Sequence, residues 1–215
     1  MQNHLYRSSG ISLLAGSLLV IVTMILHPSG GSLQRIVDIS DILTIAHALA
    51  IVSLPFVLFG FYGLSRKLND KYQIARLALM IMGFGLIAGM LAALFNGLAL
   101  PYFLSQYEGT LDQKIAVLEP ITNFSFSVNK ALDYVFIGAS CISIFLYSGL
   151  IVSENKLPKW IGYFGISILL SSAFGLVTGF AFVSLTGFRI FTFILAGWIL
   201  LCGVSLVRSK NESTL

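Results

Sequence analysis

Residues 74–99 read IARLALMIMGFGLIAGMLAALFNGLA, and within them only Arg76 carries a charge. A helix rises 1.5 Å per residue, so roughly 20 apolar residues cross the ~30 Å hydrocarbon core of a bilayer, and this run is long enough. Lipid cannot satisfy exposed backbone N–H and C=O groups. A spanning segment is therefore a helix or a strand of a closed barrel, and barrel strands alternate polar with apolar residues, which this run does not.

Comparable apolar runs lie at 11–27, 42–64, 131–152, 160–182 and 188–207, so the expected fold is an all-α bundle of six transmembrane helices in one domain. Breakers and charges separate them: Pro28-Ser29-Gly30-Gly31, the basic stretch 66–71, Pro101, the polar segment 105–130, Lys156-Leu157-Pro158-Lys159 and Thr186-Gly187. The composition agrees. Hydrophobic residues make up 57% of the chain and charged residues 10%, with a mean hydropathy of +0.91, whereas soluble domains carry about 25% charge. Cys141 and Cys202 fall inside spans and read as small apolar fillers.

The basic residues give an orientation. With a cytoplasmic N-terminus, Arg7, Arg66, Lys67, Lys71, Arg76, Lys156, Lys159, Arg208 and Lys210 lie inside, and the smaller set Arg35, Lys114, Lys130 and Arg189 lies outside. Positive charge is retained on the cytoplasmic side, so both termini are expected there. The net charge of +4 is then a rim facing anionic headgroups and implies no nucleic-acid partner. An alternative makes residues 1–31 a cleaved signal peptide, on the strength of Arg7, the short apolar run and Ser29-Gly30-Gly31; it would leave five spans.

Small residues mark expected helix contacts. Gly85 and Gly89 in the third span, and Ser171, Gly175 and Gly179 in the fifth, recur at every fourth position, which predicts that both helices sit in the bundle interior. Phe61-Tyr62-Gly63-Leu64 and Leu146-Tyr147-Ser148-Gly149-Leu150 are a faint internal echo. In the segment 105–130, Thr110-Leu111-Asp112-Gln113 has the form of a capping box, with Leu111, Ile115 and Leu118 on one face before Pro120. That pattern predicts a short amphipathic helix on the outer surface. Beyond Pro120 the helical spacing of Ile121, Phe124 and Val128 allows the fourth span to begin early. Asn123-Phe124-Ser125 fits a glycosylation sequon, and no sugar is expected there.

Polar residues at membrane depth collect in one leaflet. His27 closes the first span, His47 lies about 7 Å inside the second, Asn96 is in the outer half of the third, Asn129 and Asp133 share a face of the fourth, and Arg189 opens the sixth. Such groups are costly in lipid unless they face one another or a water-filled cavity, so the expectation is a polar pocket opening outward. Each has a plainer reading. His27 before Pro28 suits a helix end; His47 and Asn96 suit interhelical hydrogen bonds; Asp133 suits an ion pair with Lys130 or Arg189.

Two histidines and an aspartate would also make a three-ligand metal set with an open position, and His27 with His47 a haem pair, although no H-E-x-x-H spacing supports either and His4 lies in the tail. Metal and cofactor content are left open. The sequence holds no nucleotide-binding loop, serine-histidine nucleophile or intramembrane carboxylate pair, so ATPase, serine-hydrolase and aspartyl-protease chemistry lack their parts.

The order LHP at the end of the first span, AHALA in the second, FGFYGLSRKL at its cytoplasmic end, FNGLALPYF closing the third and LPKWIGYFGI opening the fifth resembles small bacterial six-helix membrane proteins grouped only as domains of unknown function. The resemblance covers nearly the whole chain in layout. It implies a bacterial cytoplasmic membrane and no particular activity. Three functions are compatible with these residues: binding of a small amphiphile or a partner's transmembrane helix in the outward pocket, an embedded enzyme using His47 with Asp133, and a small-molecule carrier. A carrier places polar groups in both leaflets and breaks its helices at the midplane. Here the polar groups stop halfway, which favours binding.

Overall fold

The computed structural model describes residues 2–68 and 72–209; Asp70, Lys71, Lys210 and Glu212 lie outside them. The described residues are mostly helical, with no strand among them. In order it forms α1 (Gln2–Leu26), α2 (Leu33–Asp38), α3 (Ser40–Lys67), α4 (Tyr72–Ala92), a π-helical segment (Ala93–Ala99), α5 (Leu100–Ser105), a 3₁₀ turn (Asp112–Lys114), α6 (Ile115–Glu154), α7 (Lys159–Val177) and α8 (Leu185–Arg208). Six of its helical runs are long and apolar enough to cross a membrane.

The long helices close a ring in chain order. α1 packs on α3, α3 on α4, α4 on α6, α6 on α7, α7 on α8, and α8 back on α1. The half of the ring nearer the termini is filled by aromatic side chains. Phe61 of α3 stacks between Tyr147 of α6 and Trp198 of α8, with ring centres 5.4 and 6.2 Å away. The polar tips of this stack are all satisfied, as burial requires. The Tyr147 hydroxyl is 2.6 Å from Ser65 Oγ, Ser65 donates onward to the Ala75 carbonyl at 3.2 Å, and Trp198 Nε1 donates to the Ile161 carbonyl at 3.0 Å. The faint echo between the two tyrosine segments does not extend to the side chains, because Tyr147 is fully buried whereas Tyr62 is 43% exposed.

Close helix approach occurs partly where the small residues predicted it. A methyl group on Gly85 would stand 2.9 Å from Ala139 Cβ, and one on Gly89 would stand 3.2 Å from the Phe136 ring, so this stripe does mark the α4–α6 contact. The tightest seam lies elsewhere, along α1. A methyl on Gly10 would meet the Gly203 carbonyl oxygen of α8 at 2.8 Å, and one on Gly16 the Val57 backbone nitrogen of α3 at 3.1 Å. The stripe in the fifth span is a correction. Ser171 and Gly179 are exposed, and α7 stops at Val177 rather than running to residue 182. Gly179 has φ of +80°; its N–H donates to the Leu176 carbonyl at 3.2 Å and the Phe180 N–H to the Gly175 carbonyl at 2.8 Å. That pair of bonds is a glycine-terminated helix stop. The chain then turns inward, burying Phe182 against Gly175.

The end remote from the termini also departs from expectation. Residues 115–130 do not form a separate surface helix: they are the first turns of the 40-residue α6, which runs through Pro120. Proline there removes only the bond to the residue 116 carbonyl, near the helix start. The capping box is not made, because Thr110 Oγ1 donates to the Tyr107 carbonyl at 3.0 Å and Lys114 caps α6 with no side-chain bond. Leu111 and Leu118 are buried with Ile36, Val37, Leu43, Leu100 and Leu104 in a small second core that closes this end over α2 and α5.

Candidate ligand-binding cavity

The aromatic stack fills one half of the ring, and the other half is open. It holds a cavity of about 430 Å³, inside the ~300–1,000 Å³ range of small-molecule sites. Every long helix except α7 lines it. Thr23 and Met24 come from α1, His47, Ser53 and Leu54 from α3, Asn96 from the π-helical segment, Asn129, Asp133 and Phe136 from α6, and Phe188 and Thr192 from α8; His27 adds the wall beyond α1. Its lining reaches the exposed Gly30, Gly31, Lys130 and Ser184, which form the mouth.

Five of the six residues singled out from sequence, His27, His47, Asn96, Asn129 and Asp133, therefore meet around one space. Arg189 does not line it. Its guanidinium Nη2 donates to the His27 carbonyl, which would otherwise be an orphan acceptor at the end of α1, and so ties α8 to α1. The Arg189 Nε is buried without a partner.

The two histidines are held alike. His27 Nδ1 lies 2.9 Å from the Pro28 carbonyl and His47 Nδ1 lies 2.8 Å from the Leu43 carbonyl. A carbonyl only accepts, so in each ring Nδ1 carries the proton and, in the neutral imidazole, Nε2 keeps a lone pair. The ring centres are 4.8 Å apart at an angle of 57°. His27 is thus both at a helix end and on the cavity wall, while His47 is only 7% exposed. Gly97 makes room for it: a methyl group at that position would overlap the root of the His47 side chain. The π-helical turn presents Gly97 in this way, and Thr44 Oγ1 donates to the Gly97 carbonyl at 3.4 Å. Such wide turns recur at functional sites because they re-aim side chains that a regular helix would misplace.

Asp133, 7% exposed, takes its hydrogen bond from Asn129 Nδ2 at 2.8 Å rather than from Lys130 or Arg189. The ion pair suggested by the i,i+3 spacing does not form, because Asp133 turns inward while Lys130 stays exposed at the mouth. Asn96 Oδ1 is buried with no partner, and so are the hydroxyls of Thr23 and Thr192. Those threonines, 2% and 4% exposed, were not legible as site residues, since threonine is common on apolar helix faces and only the fold aims both at one space.

Among the described residues no group of three His, Cys, Asp or Glu side chains is placed to hold a metal ion, so the two-histidine, one-aspartate set is not assembled. A metal held in line between two imidazoles, at about 2.0 Å from each nitrogen, separates the ring centres by roughly 6 Å. The 4.8 Å spacing is too close for a haem between His27 and His47.

Fold and site together define a ring of six membrane-length helices, plugged by aromatics at one end and hollow at the other, with a polar wall inside. No protein-family model, curated protein or solved structure matches the chain.

Proposed function

We propose that this protein is a multi-pass membrane protein that binds a small amphiphile in the hollow half of its ring, head against the histidine wall and tail along the phenylalanines. One observation carries the reading. The cavity lining is mixed: His27, His47, Asn96, Asn129 and Asp133, with the hydroxyls of Thr23, Ser53 and Thr192, share it with apolar residues that include Val20, Leu54, Phe126, Phe136 and Phe188. A soluble metabolite would leave the apolar side wet, and a plain hydrocarbon would leave buried polar groups without partners.

The proposed setting is the bacterial cytoplasmic membrane, with both termini in the cytoplasm and the cavity opening outward. The charges support it: Arg7, Arg66, Lys67, Lys156, Lys159 and Arg208 gather at the plugged end, and fewer basic residues lie at the hollow end. A belt of exposed apolar side chains, among them Phe84, Phe174, Leu170 and Val177, suits contact with lipid.

The test is mass spectrometry of protein purified in a mild detergent, beside the variant Ala50→Phe, whose added ring would occupy the cavity. The reading predicts a co-purifying amphiphile that the variant loses. An equal amphiphile content in both forms, or none in the wild type after reconstitution with a lipid extract, contradicts it.

A further inference from the structure

The hydrogen-bond inventory of the cavity is lopsided. His27 and His47 spend their Nδ1 protons on the Pro28 and Leu43 carbonyls, so each offers the cavity an acceptor at Nε2. Asp133 accepts from Asn129 at Oδ2, and its Oδ1 has no protein partner among the described residues. Asn129, the neighbouring donor, spends one of its two Nδ2 hydrogens on that same carboxylate. The Thr23 and Thr192 hydroxyls can donate or accept. Charged side chains around Asp133 are few. Lys130 sits toward the mouth on the same helix, and Arg189 of α8 points its guanidinium at the His27 carbonyl.

A head that brings only acceptors would leave these lone pairs unanswered, and a carboxylate or phosphate would also meet the acceptor oxygens of Asp133. The geometry points to an amphiphile with a protonated primary amine as the ligand, its ammonium donating to Asp133 Oδ1, with the histidine Nε2 atoms as further acceptors on the same cavity lining. This rests on the amphiphile reading above and names the head it takes. An ammonium carries three donors and no acceptor, the complement of this wall. Phe126, Phe136 and Phe188 line the same cavity and offer the adjacent carbon chain an apolar surface. Charge-assisted bonds are about twice as strong as neutral ones, so an amine gains more here than an alcohol of the same length.

The experiment titrates n-octylamine, n-octanol and octanoate into the full chain in phosphatidylcholine nanodiscs by calorimetry, with empty nanodiscs subtracted. The expected result is octylamine binding at least about tenfold tighter than octanol, with octanoate weakest. Asp133→Asn should reduce the amine to the level of the alcohol, and Asp133→Glu should keep the preference. Octanol equal to the amine, or octanoate tighter, overturns the amine assignment and leaves the amphiphile reading standing. No binding by any of the three overturns both. If Asp133→Asn fails to fold, the wild-type order together with Asp133→Glu still decides.

Discussion

The substitution Gly97→Ala tests how the cavity wall is built. The new methyl would overlap Cβ, Cγ and Cδ2 of His47, and the Cβ, fixed to the backbone, cannot be moved by any rotamer change. Relief requires either α3 to move from the π-helical segment or the imidazole to leave the Leu43 carbonyl, 2.8 Å from its Nδ1. Overpacking of this kind costs about 1–3 kcal/mol, and loss of the buried hydrogen bond adds about 0.5–1.5 kcal/mol. The sum is about 1.5–4.5 kcal/mol. Reversible unfolding in mixed micelles with increasing dodecyl sulfate measures it. The same change in a His47→Ala background should cost at least about 1 kcal/mol less, since the ring it strikes is gone. A single variant within about 0.5 kcal/mol of wild type, or strict additivity in the pair, would refute the packing of His47 on Gly97.

Other substitutions test other parts. Ser65→Ala strands the buried Tyr147 hydroxyl and should cost about 1–3 kcal/mol, whereas Tyr147→Phe with Ser65→Ala should cost less than the sum of the singles; the same unfolding assay reads both. Gly165→Leu should destabilise strongly, because any side chain there meets Ser148 and Trp198, while Gly138→Leu, with open space at its Cβ, should leave thermal stability in detergent nearly unchanged. Gly179→Val should shift melting downward despite its exposure, since φ of +80° is strained for a β-branched residue.

The helices were largely legible because each is a long, nearly unbroken apolar run of membrane-spanning length. The span read as 42–64 is α3, Ser40–Lys67, and that read as 188–207 is α8, Leu185–Arg208. What sequence could not show was where apolar chain stops being helix: Phe180 and Phe182 continue the hydropathy of α7, but the left-handed Gly179 ends it. Nor could it show α6 starting at Ile115, because Pro120 looks like a stop and costs little so near the helix start. The clustering of His27, His47, Asn96, Asn129 and Asp133 was readable from depth alone, since each falls toward the same side of the apolar span read from the sequence. Their partners were not. Local spacing offered Lys130 to Asp133, whereas burial selected Asn129, and the contribution of Gly97 depends on α3 lying beside it.

The most direct test of an amphiphile cavity open to the outside is a cysteine on its wall. Ala93 lines the space and is 6% exposed, and the native thiols offer a quiet background, with Cys202 buried and Cys141 half-buried. In intact cells, Ala93→Cys should react with a small membrane-impermeant methanethiosulfonate added outside, and octylamine should slow that reaction. Labelling only from the cytoplasmic side, or outside labelling that no amphiphile slows, would contradict the account.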